Sequence, residues 1–236
     1  MRQFGPAIVA LLLSIGCAVE KPRLPSPAPS STTTSTASTV VSDSNHPMSW
    51  SDSIEAGEAA SIRAADGKVS RTGPELRVHL LDGRTAVFQD DTTEGGQFAL
   101  FRYEGHLKAL HSHVIHRVPY EGNGAYWILD DATGDSTLVF GMPVPSPDGT
   151  RFALTSQAGN ADYDPRLLEV WRMVDRKPEK EFSYEGNDVP WDPSDAVWRD
   201  SVTINFVKNL NMEPYTRTPG RLTRVGTEWV LSDSTR

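Results

Sequence analysis

The feature that most constrains the fold of this chain is a tight turn that leads directly into an alternating strand. Residues 146–149 read Ser-Pro-Asp-Gly, a typical turn sequence because proline presets φ, aspartate bonds its own backbone and glycine supplies a positive φ. Phe152 and Leu154 then alternate with Arg151, Ala153 and Thr155, which is the pattern of a half-buried strand. Two further strand-like runs follow at 167–174 and 179–184. We therefore predict one small antiparallel sheet in this part of the chain.

Similar turn chemistry recurs on both sides of this segment. Asp66-Gly67 and Asp82-Gly83 each stand between strand-like runs, which is the strongest short-range signal for a hairpin. Asp52 followed by Glu55 predicts a short helix at about 53–60. The fold class that follows is all-β with one short N-terminal helix. Further strands are predicted at 98–103, 111–118, 125–129, 137–140, 202–207, 221–225 and 228–231.

The order of turns and strands at 145–207 resembles one blade of the TolB-type β-propeller repeats of bacterial proteins, in which an SPDG-like turn opens the second strand. The segments 82–88, 148–154 and 200–206 line up as turn-then-strand. The resemblance implies a propeller-like stack of small antiparallel sheets. Residues 60–236 have room for three to four such units, the lower edge for closing a ring. The alternatives are an incomplete propeller, a curled stack of sheets, or half of a ring completed by a second copy.

The start of the chain has the composition of a secretory signal. Arg2 precedes an apolar run at 7–13 that is too short to span a bilayer. Cys17, the only cysteine, follows this run and resembles the lipobox cysteine of bacterial lipoproteins, although Ser14 stands where that family prefers leucine. The resemblance implies that residues 1–16 are a signal peptide and that Cys17 becomes a lipid-modified, palmitate-bearing N-terminus. The alternative is an ordinary signal peptide that is cut nearby.

Composition then divides the rest of the chain. Residues 25–39 contain only proline, serine, threonine and alanine, which bury too little apolar surface to offset the entropy of ordering. We therefore expect residues 17–47 to comprise the lipidated cysteine and a disordered linker, and residues 48–236 to form a single β-rich domain. The formal net charge of −8 disfavours binding to nucleic acid or to anionic lipid surfaces. Membrane contact is expected through the lipid anchor.

The residues that carry chemistry form few recognisable patterns. If His111 and His113 lie on one strand, they share a face at a spacing that suits metal ligation, whereas His116 points to the other face. Asp162 and Asp164 lie in an acidic loop that lacks the spacing of a calcium site. The sequence contains no serine-nucleophile elbow, phosphate loop or dinucleotide fingerprint. We predict no catalytic, cofactor or metal-binding residue, and Cys17 as the lipid-attachment site.

Three functions remain open at this level. The favoured hypothesis is a lipid-anchored binding or scaffold module of the bacterial cell envelope, whose domain faces the periplasm or the exterior and contacts an envelope protein. The second is a secreted hydrolase, in one form metal-dependent, that uses the face of His111 and His113. The third is a structural subunit that oligomerises to complete a β-propeller ring. A fold of this kind does not by itself decide among them.

Overall fold

A computed structural model describes residues 50–93, 98–157, 165–186, 191–210 and 213–233. The predicted signal peptide, Cys17, the linker and the acidic loop with Asp162 and Asp164 lie outside the described residues. Within the described part, no helix is long and apolar enough to cross a membrane.

The described residues form one α-helix and four antiparallel sheets. Helix α1 spans Trp50–Ala64 and precedes the first sheet, which contains β1 Val69–Thr72, β2 Glu75–His79 and β3 Thr85–Gln89. The second sheet contains β4 Ala99–Leu107, β5 Ser112–Pro119, β6 Ala125–Asp130 and β7 Ser136–Val139. The third contains β8 Val144–Pro145, β9 Arg151–Ser156, β10 Leu167–Val174 and β11 Lys177–Glu185. The fourth contains β12 Trp191–Asp200, β13 Thr203–Leu210, β14 Arg217–Val225 and β15 Glu228–Asp233.

Within every sheet the strands are neighbours in the order in which they occur along the chain. Each sheet is therefore an antiparallel meander built from local hairpins, as the Asp-Gly turns predict. The prediction of an all-β, propeller-like stack of small antiparallel sheets with one N-terminal helix is confirmed.

Three apolar clusters hold consecutive sheets together. The cluster between the first and second sheets includes Leu76 and Ile115, and Ile62 of α1 packs against it. The cluster between the third and fourth sheets includes Leu168 and Ile204. The cluster between the second and third sheets consists of Leu110, Ile128, Val139, Phe152 and Leu154. Burial of apolar side chains on both faces of the inner sheets therefore fixes the stacking order.

The turn between β6 and β7 joins the second sheet to both of its neighbours. Asp130 and Asp131 are 4% and 6% exposed, and both accept hydrogen bonds from the Arg176 guanidinium, which projects from the β10–β11 hairpin of the third sheet. On the other side, Leu81 of the first sheet donates its backbone N–H to the carbonyl of Asp131 at 2.7 Å. Arg84 of the first sheet bonds the carbonyl of Thr133 in the same turn. This turn is the point at which three sheets are linked by polar contacts.

Several predicted boundaries are wrong. Helix α1 begins at Trp50, so Asp52 lies inside the helix and does not cap it. Strand β12 is not regular: a β-bulge follows Ser194, and Asp195 has φ 52°. In the repeat alignment, the turns at 148 and 200 lead into the second strands of their sheets. The turn at 82 leads into the third strand of its sheet, so the segment 82–88 is not structurally equivalent to the other two segments.

The Ser-Pro-Asp-Gly turn adopts the predicted geometry. Gly149 has φ 67°, and its N–H donates to the carbonyl of Ser146 at 2.9 Å. The Asp148 carboxylate accepts hydrogen bonds from the Ser146 hydroxyl and the Thr150 backbone at 2.6 Å and 3.1 Å. A Cβ atom on Gly149 would lie 2.9 Å from the carbonyl oxygen of Ala109, in the turn that joins β4 and β5 of the second sheet. Gly149 therefore serves both the turn and the close approach of two sheets.

Gly149 and Gly83 both have a positive φ but differ in their surroundings, which yields a paired stability prediction. Gly149→Val forces a β-branched residue to a positive φ and against Ala109, which we expect to cost about 2–4 kcal/mol of unfolding free energy. Gly83 has φ 86° and no atom within 4 Å of its Cβ position, so Gly83→Val introduces backbone strain alone, about 1–2 kcal/mol. Denaturant unfolding measures both. Equal stability of the two variants and the parent would contradict the turn assignment.

Candidate functional site

A cleft of about 760 Å³ lies between the second and third sheets, at the end of the second sheet remote from the β6–β7 turn. The second sheet supplies one wall, formed by Leu100, Arg102, His116, Val118 and Tyr126. The segment between β7 and β8 and the end of β9 supply the opposite side, with Gly141, Met142, Thr155, Ser156 and Gln157. A concave site of this volume is in the range that accommodates a small molecule.

A row of three polar side chains crosses the second-sheet wall. The strand register pairs Arg102 with His116, and His116 with Tyr126. Paired residues in an antiparallel sheet point to the same face, with their Cβ atoms about 5 Å apart. The rings of His116 and Tyr126 stack with centroids 4.3 Å apart and an angle of 5° between their planes. The row therefore presents a guanidinium, an imidazole and a phenol to the cleft.

The loop between β5 and β6 orients His116. Its Nε2 lies 2.9 Å from the carbonyl oxygen of Asn123, and because a carbonyl only accepts, Nε2 carries the proton and donates it. Its Nδ1 faces Oε1 of Glu104 at 3.5 Å. Gly124 has φ 77°, and a Cβ there would lie 2.2 Å from the carbonyl oxygen of Arg117. Glycine at 124 therefore allows the loop to fold back onto the imidazole.

Arg102 is the cation of the row, and its charge is not neutralised by the described residues around it. Its Nε is buried and has no hydrogen-bond partner in the described part of the chain. This one donor has lost its hydration without a replacement, although the side chain as a whole is only half-buried. A guanidinium in this state is a ready donor to any anion that enters the cleft.

Tyr126 contributes a neutral hydroxyl to the row. Burial raises the pKa of Tyr126 to about 12, and the negative charge of Glu104 acts in the same direction. The phenol therefore stays protonated throughout the neutral range.

Large apolar side chains surround the mouth of the cleft. Phe98 and Tyr120 form a T-shaped pair with ring centroids 5.8 Å apart, and Tyr120 is 72% exposed. Phe140 and Met142, on the segment that follows β7, are 42% and 39% exposed. Exposed apolar residues grouped around a concave surface are typical of a binding site.

The structure separates the histidines that the sequence brought together. His111 does not lie on a strand: it is exposed, has φ 51° and ends the short 3₁₀ turn Lys108–Leu110 that precedes β5. His113 is 1% exposed, so the two side chains do not share an open face, which the alternative of a metal-chelating pair required. His116 points to the other face, as predicted, and lines the cleft. Within the described residues, no group of three or more His, Cys, Asp or Glu side chains could hold a metal ion.

His113 belongs instead to a buried polar chain on the opposite face of the second sheet. The Tyr103 hydroxyl lies 2.9 Å from Nδ1 of His113, and the His113 ring packs against that of His106 with centroids 4.6 Å apart. Nε2 of His106 lies 3.1 Å from the Asp131 carboxylate. Because these groups satisfy one another between the first two sheets, they stabilise the stack, and Asp131 connects them to the β6–β7 turn.

Sequence reasoning did not single out Arg102 or Tyr126 as site residues. Neither residue lies in a recognised motif, and arginine and tyrosine are both ordinary residue types at half-buried strand positions. The informative signal is the register that aligns both with His116, and this register follows from the β-bulge between Tyr103 and Gly105. The pairing of Asp130 and Asp131 with Arg176 was not predicted from the sequence.

Comparison with known proteins identifies no family. No protein-family model and no curated protein matches the sequence. Among solved structures, the chain is similar to the crystal structure of the N-terminal domain of Nup159, at 11% sequence identity and a TM-score of 0.37. The match covers 70% of this chain and 47% of that one, so the chain spans about half the length of the structure it matches. Function must therefore be argued from the cleft itself.

The buried histidine predicts a defined pH dependence of stability. Burial lowers the pKa of His113 to about 4, with repulsion from His106 acting in the same direction. The folded protein holds His113 neutral while the unfolded chain protonates it near pH 6.5. The unfolding free energy therefore falls as pH decreases from about 6.5 to about 4, by at most about 1.4 kcal/mol per pH unit.

Two matched variants test this assignment by unfolding at a series of pH values. His113→Asn keeps a hydrogen-bonding group near Tyr103 and removes the titration, so the slope between pH 6.5 and 4.5 should flatten. His111→Asn replaces an exposed histidine with a residue that tolerates a positive φ, so the slope should stay that of the parent. A slope that flattens in His111→Asn instead would contradict the assignment.

Proposed function

We propose that the chain is a lipid-anchored binding module of the bacterial cell envelope, and that its ligand occupies the cleft between the second and third sheets. The observation that carries the proposal is the preformed cleft whose wall holds the unpaired guanidinium of Arg102. A protein that served only as a spacer would gain stability by filling this space with apolar side chains, because close packing is the default of protein interiors. The half-buried guanidinium of Arg102 lacks a partner for its Nε donor, and a ligand anion in the cleft would place an opposite charge beside it.

Rigid elements support this assignment. Arg102, His116 and Tyr126 lie on three hydrogen-bonded strands, and Gly124 holds the connecting loop against the imidazole. Sites on strands of a stacked sheet are more precisely positioned than sites on loops, so little ordering entropy is lost when a ligand binds.

The proposed location rests on the sequence. Arg2, the apolar run at 7–13 and Cys17 together resemble a lipoprotein signal. With a net charge of −8, the chain has little electrostatic attraction for anionic lipid, so attachment through Cys17 supplies the membrane contact. The domain then faces the periplasm or the exterior, within reach of envelope proteins and small molecules.

One observation favours the alternative of a subunit that assembles into a ring. Val197, Val225 and Val230 are 61%, 64% and 47% exposed, and the strand register places them on the face of the fourth sheet opposite the buried Leu222. These valines are paired with polar residues on the same face, including Asn205, Thr223 and Glu228, so they form separate apolar points that a further sheet would cover. The cleft lies between other sheets, so assembly through this face is compatible with ligand binding.

The anchor is tested in cells grown with radioactive palmitate. The parent should be labelled and recovered with membranes, whereas Cys17→Ser should be unlabelled and released, because the thiol that carries the lipid is gone. Ser14→Leu is the matched control: it supplies the residue that the lipoprotein family prefers, so labelling should persist or increase. Labelling of Ser14→Leu but not of the parent would show that the natural sequence directs ordinary signal cleavage, against the proposal.

A further inference from the structure

The ligand class of the cleft follows from its lining, given the proposed function on which this inference rests. We infer that the cleft binds a small amphiphilic monoanion: an aromatic or aliphatic body that carries one carboxylate or sulfonate. The apolar part of the lining sets the body, and Arg102 sets the charged end.

The charged end is identified by the state of Arg102. A guanidinium keeps its charge at all physiological pH values, and its planar donors match the two oxygens of a carboxylate. Arg102 lines the cleft and its Nε has no hydrogen-bond partner among the described residues, so an anion in the cleft would give the guanidinium a charged partner. Glu104, two residues away on the same strand, faces Nδ1 of His116 at 3.5 Å.

The same neighbourhood limits the ligand to a single negative charge. One guanidinium faces the cleft from the described wall, and Glu104 stands two residues away on the same strand. A dianion such as a phosphate monoester would leave one negative charge unmatched by Arg102, and the Glu104 carboxylate on the same strand would add repulsion. The acidic chain as a whole adds to that repulsion, with its net charge of −8.

The body of the ligand is identified by the remaining walls. Leu100 and Val118 flank Arg102 on the second sheet, and the stacked rings of His116 and Tyr126 continue the wall as a flat surface. Phe140 and Met142 face this surface from the mouth. A planar or branched apolar group can lie between them with its anion at Arg102, which separates the two ends of the ligand in space.

A pair of fluorescent dyes that differ in one group tests the inference on the folded, full domain. The anionic probe is 1-anilinonaphthalene-8-sulfonate, and the neutral probe is N-phenyl-1-naphthylamine, which lacks only the sulfonate. The parent should bind the anionic dye about tenfold or more tightly than the neutral dye, because one charge-assisted hydrogen-bond pair has that effect on affinity. Phe140→Ser should weaken both dyes, since it removes part of the apolar wall that they share.

Substitutions at Arg102 separate charge from packing. Arg102→Met should lower the affinity for the anionic dye about tenfold or more and leave that for the neutral dye within about twofold. Arg102→Lys keeps the positive charge but loses the paired, planar N–H donors of the guanidinium. Its affinity for the anionic dye should therefore lie between those of the parent and Arg102→Met. The matched control is Arg117→Met: Arg117 lies on the adjacent strand at the position paired with Phe101, on the face opposite His116, and both affinities should be unchanged. Melting temperatures show that each variant is folded during the titration.

The contrary outcomes are distinct. If both dyes bind the parent equally and Arg102→Met changes neither, the anionic ligand class is wrong while a binding cleft remains. If Phe140→Ser affects neither dye, or neither dye binds the parent, the cleft is not the binding site and the proposed function fails with the inference. If Arg117→Met weakens the anionic dye as strongly as Arg102→Met does, general charge rather than the cleft accounts for binding, which also overturns the inference.

Discussion

The structure depends on the pairing of the Arg176 guanidinium with two buried carboxylates, Asp130 and Asp131. Burial alone would raise the pKa of Asp130, but hydrogen bonds from the Thr133 backbone and from Arg176 outweigh it and hold the pKa below its usual value. Asp130 is therefore charged in the folded protein, and the guanidinium of Arg176 compensates its burial. Because Asp131 also bonds His106 and its carbonyl accepts from Leu81, one pairing fixes the second sheet against both neighbours.

The position of this contact accounts for the cleft. Strand β5 runs from Ser112, which is paired with Asp130, to Pro119, which lines the cleft, a distance of about 20–25 Å at the rise of a strand. The polar contact and the apolar cluster of Ile128 and Phe152 hold the second and third sheets together at one end and in the middle. At the far end the sheets separate, and the space is lined by side chains that are polar at the wall and apolar at the mouth. Stability and binding are thus assigned to opposite ends of the same two sheets.

The sequence predicted what local chemistry determines. Asp-Gly turns and alternating strands identified the hairpins, and the positive φ of Gly149 was expected from its turn. The sequence did not predict contacts between sheets, because they join residues far apart in the chain: Arg176 reaches Asp130 from a hairpin two strands into the next sheet. For the same reason Arg102 was not recognised, since its place beside His116 depends on a bulge that propensity does not encode. His111 and His113 do not share a strand face, because the chain enters β5 through a 3₁₀ turn and His111 precedes the strand.

The most direct test of this account is the unfolding free energy of Arg176→Met at neutral pH, compared with that of Arg172→Met on the same hairpin. Loss of Arg176 removes the cation from buried Asp130 and leaves Asp131 with His106 alone, which should cost about 2–4 kcal/mol. Arg172 pairs with Glu179, and both side chains are about half exposed, so its loss should cost less than about 1 kcal/mol. If the two variants are equally stable, the pairing of Arg176 with Asp130 and Asp131 does not hold the sheets together, and the account is wrong at its centre.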